Sequence, residues 1–334
     1  MAMRFGVLGV GRIGQVHASA IASVAGAVLA AVADPVTKAA DALRDLHGCA
    51  VRTIDEIETA TDIDAVVICT PTNTHSELIE RFCRAGKAVF CEKPIDLSIE
   101  RVRACLKVVA ETDGKLMVGF NRRFDPDFNA LKAAIDQGRI GTVEMVTITS
   151  RDPGPPPYEY IKTSGGILRD MTIHDFDVAR WMLGEEVSTV MASASVLIDP
   201  NLVKLGDFDS LNIIMTTASG KQCTITNSRR ASYGYDQRIE VHGSDGAAQA
   251  RNTHEANIEI AGGAGYHRPP LLNFFMTRYK AAYAAEIEAF VDAVENGTTM
   301  PTTGHDGLMA LVLAEAALTS INEGRAVKTA EFES

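Results

Sequence analysis

Over the first 120 residues, short apolar runs alternate with stretches of helical period. The apolar runs fall at residues 4–9, 28–33, 65–69, 88–91 and 116–119. Continuous apolar character, rather than alternation, predicts strands of a parallel sheet covered on both faces. The segments between them, near 13–24, 37–46, 74–85 and 98–112, predict helices. Thr74 and Glu77 have capping-box spacing, and Gly86 stands where a helix stop is expected.

After Phe120 the pattern changes. Asp125-Pro126 reads as an N-cap followed by proline at the first helical position. Residues 142–150 alternate, as a half-exposed strand does, and the proline- and glycine-rich stretch 151–166 reads as a loop. A helix is predicted from about Asp170 to Leu183. Residues 187–261 hold alternating strands with hairpin turns, one of them at Ser219-Gly220, between 211–217 and 222–227. Helical period returns over 274–296 and 304–323. The prediction is two domains: an α/β domain with a doubly wound parallel sheet over 1–120, and an α+β domain on a mainly antiparallel sheet over 121–334.

Composition narrows the class. The 334 residues are 46% hydrophobic and 22% charged, with a net charge of −11. That balance suits a soluble globular protein and argues against nucleic acid or an anionic membrane as the main partner. No apolar run reaches the roughly 18 residues that a membrane span requires. The first apolar stretch carries a glycine fingerprint, so it reads as structure rather than as a signal peptide. The six cysteines contain no C-x-x-C pair and sit mostly in apolar runs, which predicts buried free thiols in a reducing, cytoplasmic compartment.

Two constellations carry chemistry. The first is Gly9-Val10-Gly11-Arg12-Ile13-Gly14, between a predicted strand and a predicted helix. Gly9 permits the tight turn, Gly11 lets the backbone approach a pyrophosphate, and the helix start after Arg12 and Ile13 offers free N–H groups. Asp34 follows Gly14 by 20 residues, the distance at which a carboxylate meets the adenosine ribose. A carboxylate there accepts from ribose hydroxyls and repels a 2′-phosphate, so NAD is expected over NADP, with Lys38 the residue able to relax the preference. The loop Thr70-Pro71-Thr72-Asn73-Thr74-His75 follows the third strand and is expected to touch the cofactor through Thr70, Pro71, Asn73 and His75, the last read as a first-turn helix residue rather than a catalyst.

The second constellation joins Cys91-Glu92-Lys93-Pro94 to Asp170-Met171-Thr172-Ile173-His174. Oxidising an alcohol needs a hydride acceptor and a base for the hydroxyl proton, and neutral histidine suits the latter. Asp170 and His174 are spaced i, i+4, which puts them on one face of an α-helix, with Asp177 near it. The Lys93 ammonium could favour a developing alkoxide. Asp170, His174 and Asp177 lack the neighbouring His or Cys that completes a usual zinc set, so no metal is expected. A dinucleotide site plus a proton-transfer site reads as a dehydrogenase acting on an alcohol.

Taken together, Gly9–Gly14, the Thr-Pro-x-x-x-His loop at 70–75, Cys91-Glu92-Lys93-Pro94 and Asp170-x-x-x-His174 resemble the glucose–fructose oxidoreductase/inositol dehydrogenase family, over nearly the whole chain. Gly119–Asp125 and Tyr233-Gly234-Tyr235-Asp236 look like its inositol dehydrogenase branch, although Asn121 stands where that pattern has methionine. The resemblance implies an N-terminal Rossmann domain, a C-terminal open-faced sheet that pairs subunits into a homotetramer, and Lys93, Asp170 and His174 as catalytic lysine, aspartate and histidine. Glu92 and Lys93 join the cofactor set. Arg123, Asp152, Tyr233 and Tyr235 are candidates for a hydroxyl-rich substrate pocket beside Lys93, Asp170 and His174. The activity implied is oxidation of a cyclic polyol, myo- or scyllo-inositol, by NAD. Oxidation of an aldose at its anomeric carbon is the alternative. A phosphorylated or carboxylated sugar met by Arg122/Arg123 or Arg229/Arg230, and an NAD-binding regulator without turnover, are minor ones.

Overall fold

The structure is a computed structural model and describes residues 2–332. Along its first part run β1 (Met3–Leu8), α1 (Arg12–Ser23), β2 (Ala27–Ala33), α2 (Thr37–His47), β3 (Ala50–Val51), α3 (Ile54–Thr59), β4 (Ala65–Ile68), α4 (His75–Arg84), β5 (Ala88–Glu92), α5 (Ile99–Glu111) and β6 (Leu116–Gly119). Next come α6 (Pro126–Asp136), β7 (Val143–Arg151), α7 (Tyr158–Ser164), α8 (Ile173–Leu183), β8 (Val187–Ser195), β9 (Ser210–Thr217), β10 (Gln222–Ser228), β11 (Asp236–Gly243) and β12 (Gly246–Ala250). A small hairpin, β13 (Ile260–Gly262) with β14 (Gly265–His267), precedes α9 (Phe275–Arg278), α10 (Lys280–Asn296), α11 (Gly304–Glu323) and β15 (Val327–Lys328).

Two compact units result. The first takes Met1–Phe124 and also Lys280–Leu311, a stretch that the sequence reading assigns to the second domain. Its sheet is parallel throughout, in the order β3-β2-β1-β4-β5-β6. The strands β4 and β6 are buried at every position, as continuous apolar runs require. The returning helix α10 supplies apolar partners: Phe290 packs against Phe5 of β1 and Phe90 of β5. The Thr302 hydroxyl donates to the Val118 carbonyl at 2.6 Å.

Local chemistry sets the helix ends. The capping box forms at Thr53 and Glu56, not at Thr74 and Glu77. The Thr74 hydroxyl instead donates to the Pro71 carbonyl at 2.8 Å, which shapes the loop before α4. Gly86 adopts φ +72° just past α4, a left-handed stop that favours glycine.

The second unit comprises Asp125–Tyr279 and Val312–Ser334. Its seven-stranded sheet has the order β12-β11-β7-β10-β9-β8-β15. The sheet is mainly antiparallel, as predicted: only β7 and β10 run parallel, and the remaining pairs are antiparallel. The Ser219-Gly220 turn joins β9 to β10, with Gly220 at φ +94°. The segment 151–166 is not all loop, because α7 forms within it. The helix expected from Asp170 begins instead with a π turn, Leu168–Thr172, that runs into α8.

Asp125 caps α6 as predicted, accepting from the Asp127 and Phe128 amides. It is also fully buried against Arg278, whose guanidinium lies over the Phe128 and Tyr279 rings. All six cysteines are buried and free, and burial raises their thiol pKa values. Among the described residues no helix is long and apolar enough to cross a membrane.

Candidate active site

In the first unit the glycine turn leaves β1 at Gly9, whose φ is +84°. A Cβ there would come within 2.7 Å of the Cys69 carbonyl oxygen, so the position needs glycine for both conformation and space. A Cβ at Gly14 would meet the Gly9 carbonyl oxygen at 2.0 Å, which keeps α1 against the turn. Nothing lies within 4 Å of a Cβ built at Gly11, so the backbone there faces open space. Gly11 caps α1 without a side-chain bond, and Arg12 and Ile13 begin the helix. Its first N–H groups are therefore available to an anion.

Asp34 closes β2 beside this turn. Its Oδ2 accepts from the Val10 amide and its Oδ1 from the Val36 amide, each at 2.7 Å. Each carboxylate oxygen keeps a further lone pair, so hydroxyl donors can still be received. The open space at Gly11, the uncapped helix start and the anchored Asp34 fit the pyrophosphate and ribose of a dinucleotide.

Farther along the sheet, β4 and β5 end in the two loops that the sequence singles out. His75 ties them together. Its Nδ1 faces the Pro94 carbonyl and its Nε2 the Thr70 carbonyl, each at 2.8 Å. Burial lowers the ring's pKa, and the two carbonyls oppose that shift. His75 is thus buried structure rather than an open ligand, while Pro71 and Asn73 are exposed and Thr70 is half-buried. Lys93 is half-buried, and its preceding residue Glu92 is buried, with Oε1 2.7 Å from His17 Nε2.

Arg123 also belongs to this unit. Its guanidinium donates to Asp306 at 2.8 Å and to the Pro301 carbonyl at 3.3 Å. These bonds give it a structural task beside its proposed contact with substrate.

In the second unit the acidic and basic candidates cluster around Arg229. The guanidinium donates to Asp170 Oδ2 at 2.9 Å and to Asp152 Oδ2 at 3.1 Å. Burial works against the cation, but the two carboxylates outweigh it and raise the arginine pKa. Tyr160 donates its hydroxyl to the other oxygen of Asp170 at 2.8 Å. From sequence Arg229 is only a possible anion binder, and Tyr160 does not stand out.

The i, i+4 argument for Asp170 and His174 assumes α-helical spacing. Asp170 instead lies in the π turn, which widens the helix and alters that angular relation. Such turns recur at functional sites. The helix is pinned behind them by a buried network. Thr172 donates to Asn227 Oδ1 at 2.8 Å, and Asn227 donates to Asp175 Oδ2 at 2.8 Å. His174 is half-buried, whereas Asp177 is fully buried within α8.

Tyr233 and Tyr235 diverge. Tyr233 is half-exposed, donates to Asp236 at 2.6 Å and accepts from Arg151 at 2.9 Å. Tyr235 is buried, its ring edge-on to Phe274 and Tyr279, so its position is that of a core aromatic. Tyr279 and Tyr283 are likewise buried. Among the described residues no group of three or more metal-ligating side chains is present.

Comparison with known proteins places the chain. Residues 3–120 match the oxidoreductase family, NAD-binding Rossmann fold, and residues 128–249 match the GFO/IDH/MocA C-terminal domain. The chain belongs to the GFO/IDH/MocA family. It is 64% identical to inositol 2-dehydrogenase of Rhizobium meliloti, over 99% of this chain and 100% of that one. It is 37% identical to scyllo-inositol 2-dehydrogenase (NAD(+)) of Bacillus subtilis, over 98% and 96%.

Two solved structures of similar proteins cover the same length. Myo-inositol dehydrogenase from Corynebacterium glutamicum superimposes with a TM-score of 0.94 at 40% identity, covering 98% of this chain and 99% of that one. Scyllo-inositol dehydrogenase from Lactobacillus casei, solved with NAD(H) and scyllo-inositol bound, gives 0.92 at 31%, covering 99% and 100%. In this GFO/IDH/MocA protein the first unit is an NAD-binding Rossmann fold, and the second is the family's sheet domain.

Proposed function

We propose that this chain is an NAD-dependent dehydrogenase that oxidises a ring hydroxyl of myo- or scyllo-inositol to the ketone. The single observation that carries the reading is 64% identity to an inositol 2-dehydrogenase across the entire length of both chains. NAD, when bound, supplies the hydride acceptor.

The residues then divide the work. Backbone N–H groups at Gly11–Gly14 receive the pyrophosphate, and Asp34 receives the ribose hydroxyls and disfavours a 2′-phosphate. Thr70, Pro71 and Asn73 line the same crevice, at the carboxyl end of β4, whereas the Glu92 side chain is buried against His17. His174 takes the proton of the reacting hydroxyl as general base. Lys93 donates to that oxygen, a bond that strengthens as negative charge grows on it. Asp170 supports the imidazolium electrostatically, as the acid of a triad does. Asp152, Arg123 and Tyr233 meet the remaining ring hydroxyls. A polyol without charge needs paired donors and acceptors rather than a cation, which agrees with Arg229 being paired with two acids.

The protein works as a homotetramer in the cytoplasm on this reading. One face of the large sheet carries α8, while Met145, Met191 and Ile214 lie exposed on β7, β8 and β9. An open sheet face of this kind suits a second copy of the chain. Buried unpaired thiols suit a reducing compartment.

The test is the absorbance of reduced cofactor, with NAD or NADP and a panel of myo-inositol, scyllo-inositol, hexoses and sugar acids. Turnover of an inositol with NAD is expected. Turnover of an aldose alone, or of nothing in the panel, would reject the reading.

A further inference from the structure

Beneath the glycine turn three titratable side chains meet away from water. His17 lies three residues after Gly14 on α1 and is fully buried. Its Nε2 is 2.7 Å from Oε1 of Glu92, the last residue of β5. Its Nδ1 is 3.8 Å from Oε1 of Glu286 on α10, beyond hydrogen-bond distance. Glu286 is fully buried, and neither of its oxygens, nor His17 Nδ1, has a hydrogen-bond partner among the described residues. The imidazole is boxed by the rings of Phe90 and Tyr283, with centroids 5.0 and 5.5 Å away. The other titratable neighbours are the Cys69 and Cys91 thiols, both held protonated by burial first and by the Glu92 charge second.

Glu92 is itself confined. It pairs with Gly119 of β6, where a Cβ would come within 3.2 Å of its carboxyl group. Its Oε2 accepts from the Lys93 backbone N–H at 3.3 Å. The carboxylate therefore has His17 on one oxygen and the start of the Lys93-Pro94 segment on the other.

We infer that His17 is a positioning residue for Lys93, holding the Glu92 carboxylate that in turn fixes the Lys93 backbone. The inference rests on the role of Lys93 proposed above. A buried carboxylate left unpaired is costly, so Glu92 needs the ring N–H as a donor. Glu286 has to be uncharged for this to work. An ionised Glu286 would compete with Glu92 for the same imidazole and add a second buried negative charge. Burial, and then the charge of Glu92, push its carboxyl well above the usual range, so it keeps its proton. Glu92 is left as the ring's anionic partner.

Three measurements on the full-length enzyme test this, using His17→Gln and Glu286→Gln. The first is kcat per bound NAD, with KM for NAD and for myo-inositol. His17→Gln is expected to lower kcat by about 10- to 100-fold, the scale of a misplaced reacting group, with both KM values within about twofold. Glu286→Gln, which exchanges one neutral group for another, is expected to stay within about threefold.

The second is hydrogen exchange resolved to single amides. The Lys93 N–H should exchange at least about tenfold faster in His17→Gln, while β1 amides stay unchanged. The third is infrared difference spectroscopy at neutral pH, which should show a protonated carboxyl band in the parent that is lost in Glu286→Gln.

Unchanged kcat and unchanged Lys93 exchange in His17→Gln would overturn the inference. So would a rise in KM for NAD with kcat intact, which would make His17 a cofactor-binding support. Absence of the carboxyl band would overturn the neutral Glu286. Should the parent oxidise no inositol, the dehydrogenase reading fails by itself, and the exchange and infrared results still decide whether this cluster holds Lys93.

Discussion

Arg229 Nη2 donates to Asp170 Oδ2 at 2.9 Å, and the opposite arm of the same guanidinium donates to Asp152 Oδ2 at 3.1 Å. One rigid, planar cation thus holds two carboxylates at a fixed spread. It sits on β10's C-terminal extension, where its own amide donates to the Asp209 carbonyl at 2.8 Å. Replacing it leaves two partly buried acids without their shared cation. Arg229→Met is expected to destabilise the protein by about 3–5 kcal/mol, the scale for removing one partner of a buried ion pair. Denaturant unfolding checks the stability. Activity measured on the folded fraction should also fall, because Asp170 keeps Tyr160 but loses its charged anchor. A midpoint equal to the parent's would show that the pair contributes nothing net.

His174→Ala is expected to lose about 10²- to 10⁴-fold in turnover, the usual loss for a general base, while the affinity for NAD changes little. Steady-state rates combined with calorimetric titration of NAD separate the two. Turnover within about threefold of the parent would remove His174 from the proton chemistry.

Asp34→Ala should weaken NAD binding and narrow the preference over NADP, because the carboxylate both receives ribose hydroxyls and repels a phosphate. A structural loss accompanies it. Asp34 accepts from the Val10 and Val36 amides, so the glycine turn itself loosens. The ratio of kcat/KM for the two cofactors reads the first effect, and thermal unfolding without cofactor reads the second. An unchanged ratio would mean that discrimination lies elsewhere.

Glu286 makes stability depend on pH. Its carboxyl titrates near 4.5 when unfolded and well above that when folded. Below the lower value both states hold the proton and no stability is lost. Above it the unfolded chain releases a proton that the folded one keeps, so stability falls as pH rises toward the folded pKa. Glu286→Gln removes this dependence. The variant should gain on the parent by about 1.4 kcal/mol per pH unit as pH rises above the unfolded value, for as long as the folded carboxyl keeps its proton. Parallel denaturant curves at several pH values measure the gap. A gap that does not move with pH would show that Glu286 is ionised in the folded state.

Much of the first unit can be read from sequence because its strands are mostly apolar rather than alternating and its turn needs glycine at defined positions. The strand predicted at 116–119 coincides with β6, and those at 65–69 and 88–91 end within one residue of β4 and β5. Thr74 misled because threonine competes for local carbonyls as readily as for helix N–H groups. The π turn at Leu168–Thr172 has no periodicity signal of its own, since one extra residue in a turn looks like α-helix at this length.

Neither Glu286 nor His17 is singled out from sequence, although Glu286 carries a signal there. Ala282, Tyr283, Ile287 and Phe290 form a buried stripe on α10, and an acidic residue inside such a stripe marks a buried charge or a buried proton. What no local pattern reveals is its partner, because His17 lies on a helix some 270 residues earlier. Arg229 was legible as a cation but not as a paired one, since Asp152 and Asp170 reach it through tertiary contacts.

The return of Lys280–Leu311 into the first unit has a consequence for how the protein is made. When residues 1–124 have left the ribosome, all six parallel strands exist, yet Phe5, His17 and Phe90 still lack the helix that covers them. That helix is synthesised only after the whole of Asp125–Tyr279. The nascent Rossmann sheet must therefore wait, partly uncovered, through the translation of more than 150 further residues. Exposed apolar surface over that interval is the kind that chaperones bind. A fragment cut at the apparent end of the nucleotide fold carries the same open flank permanently.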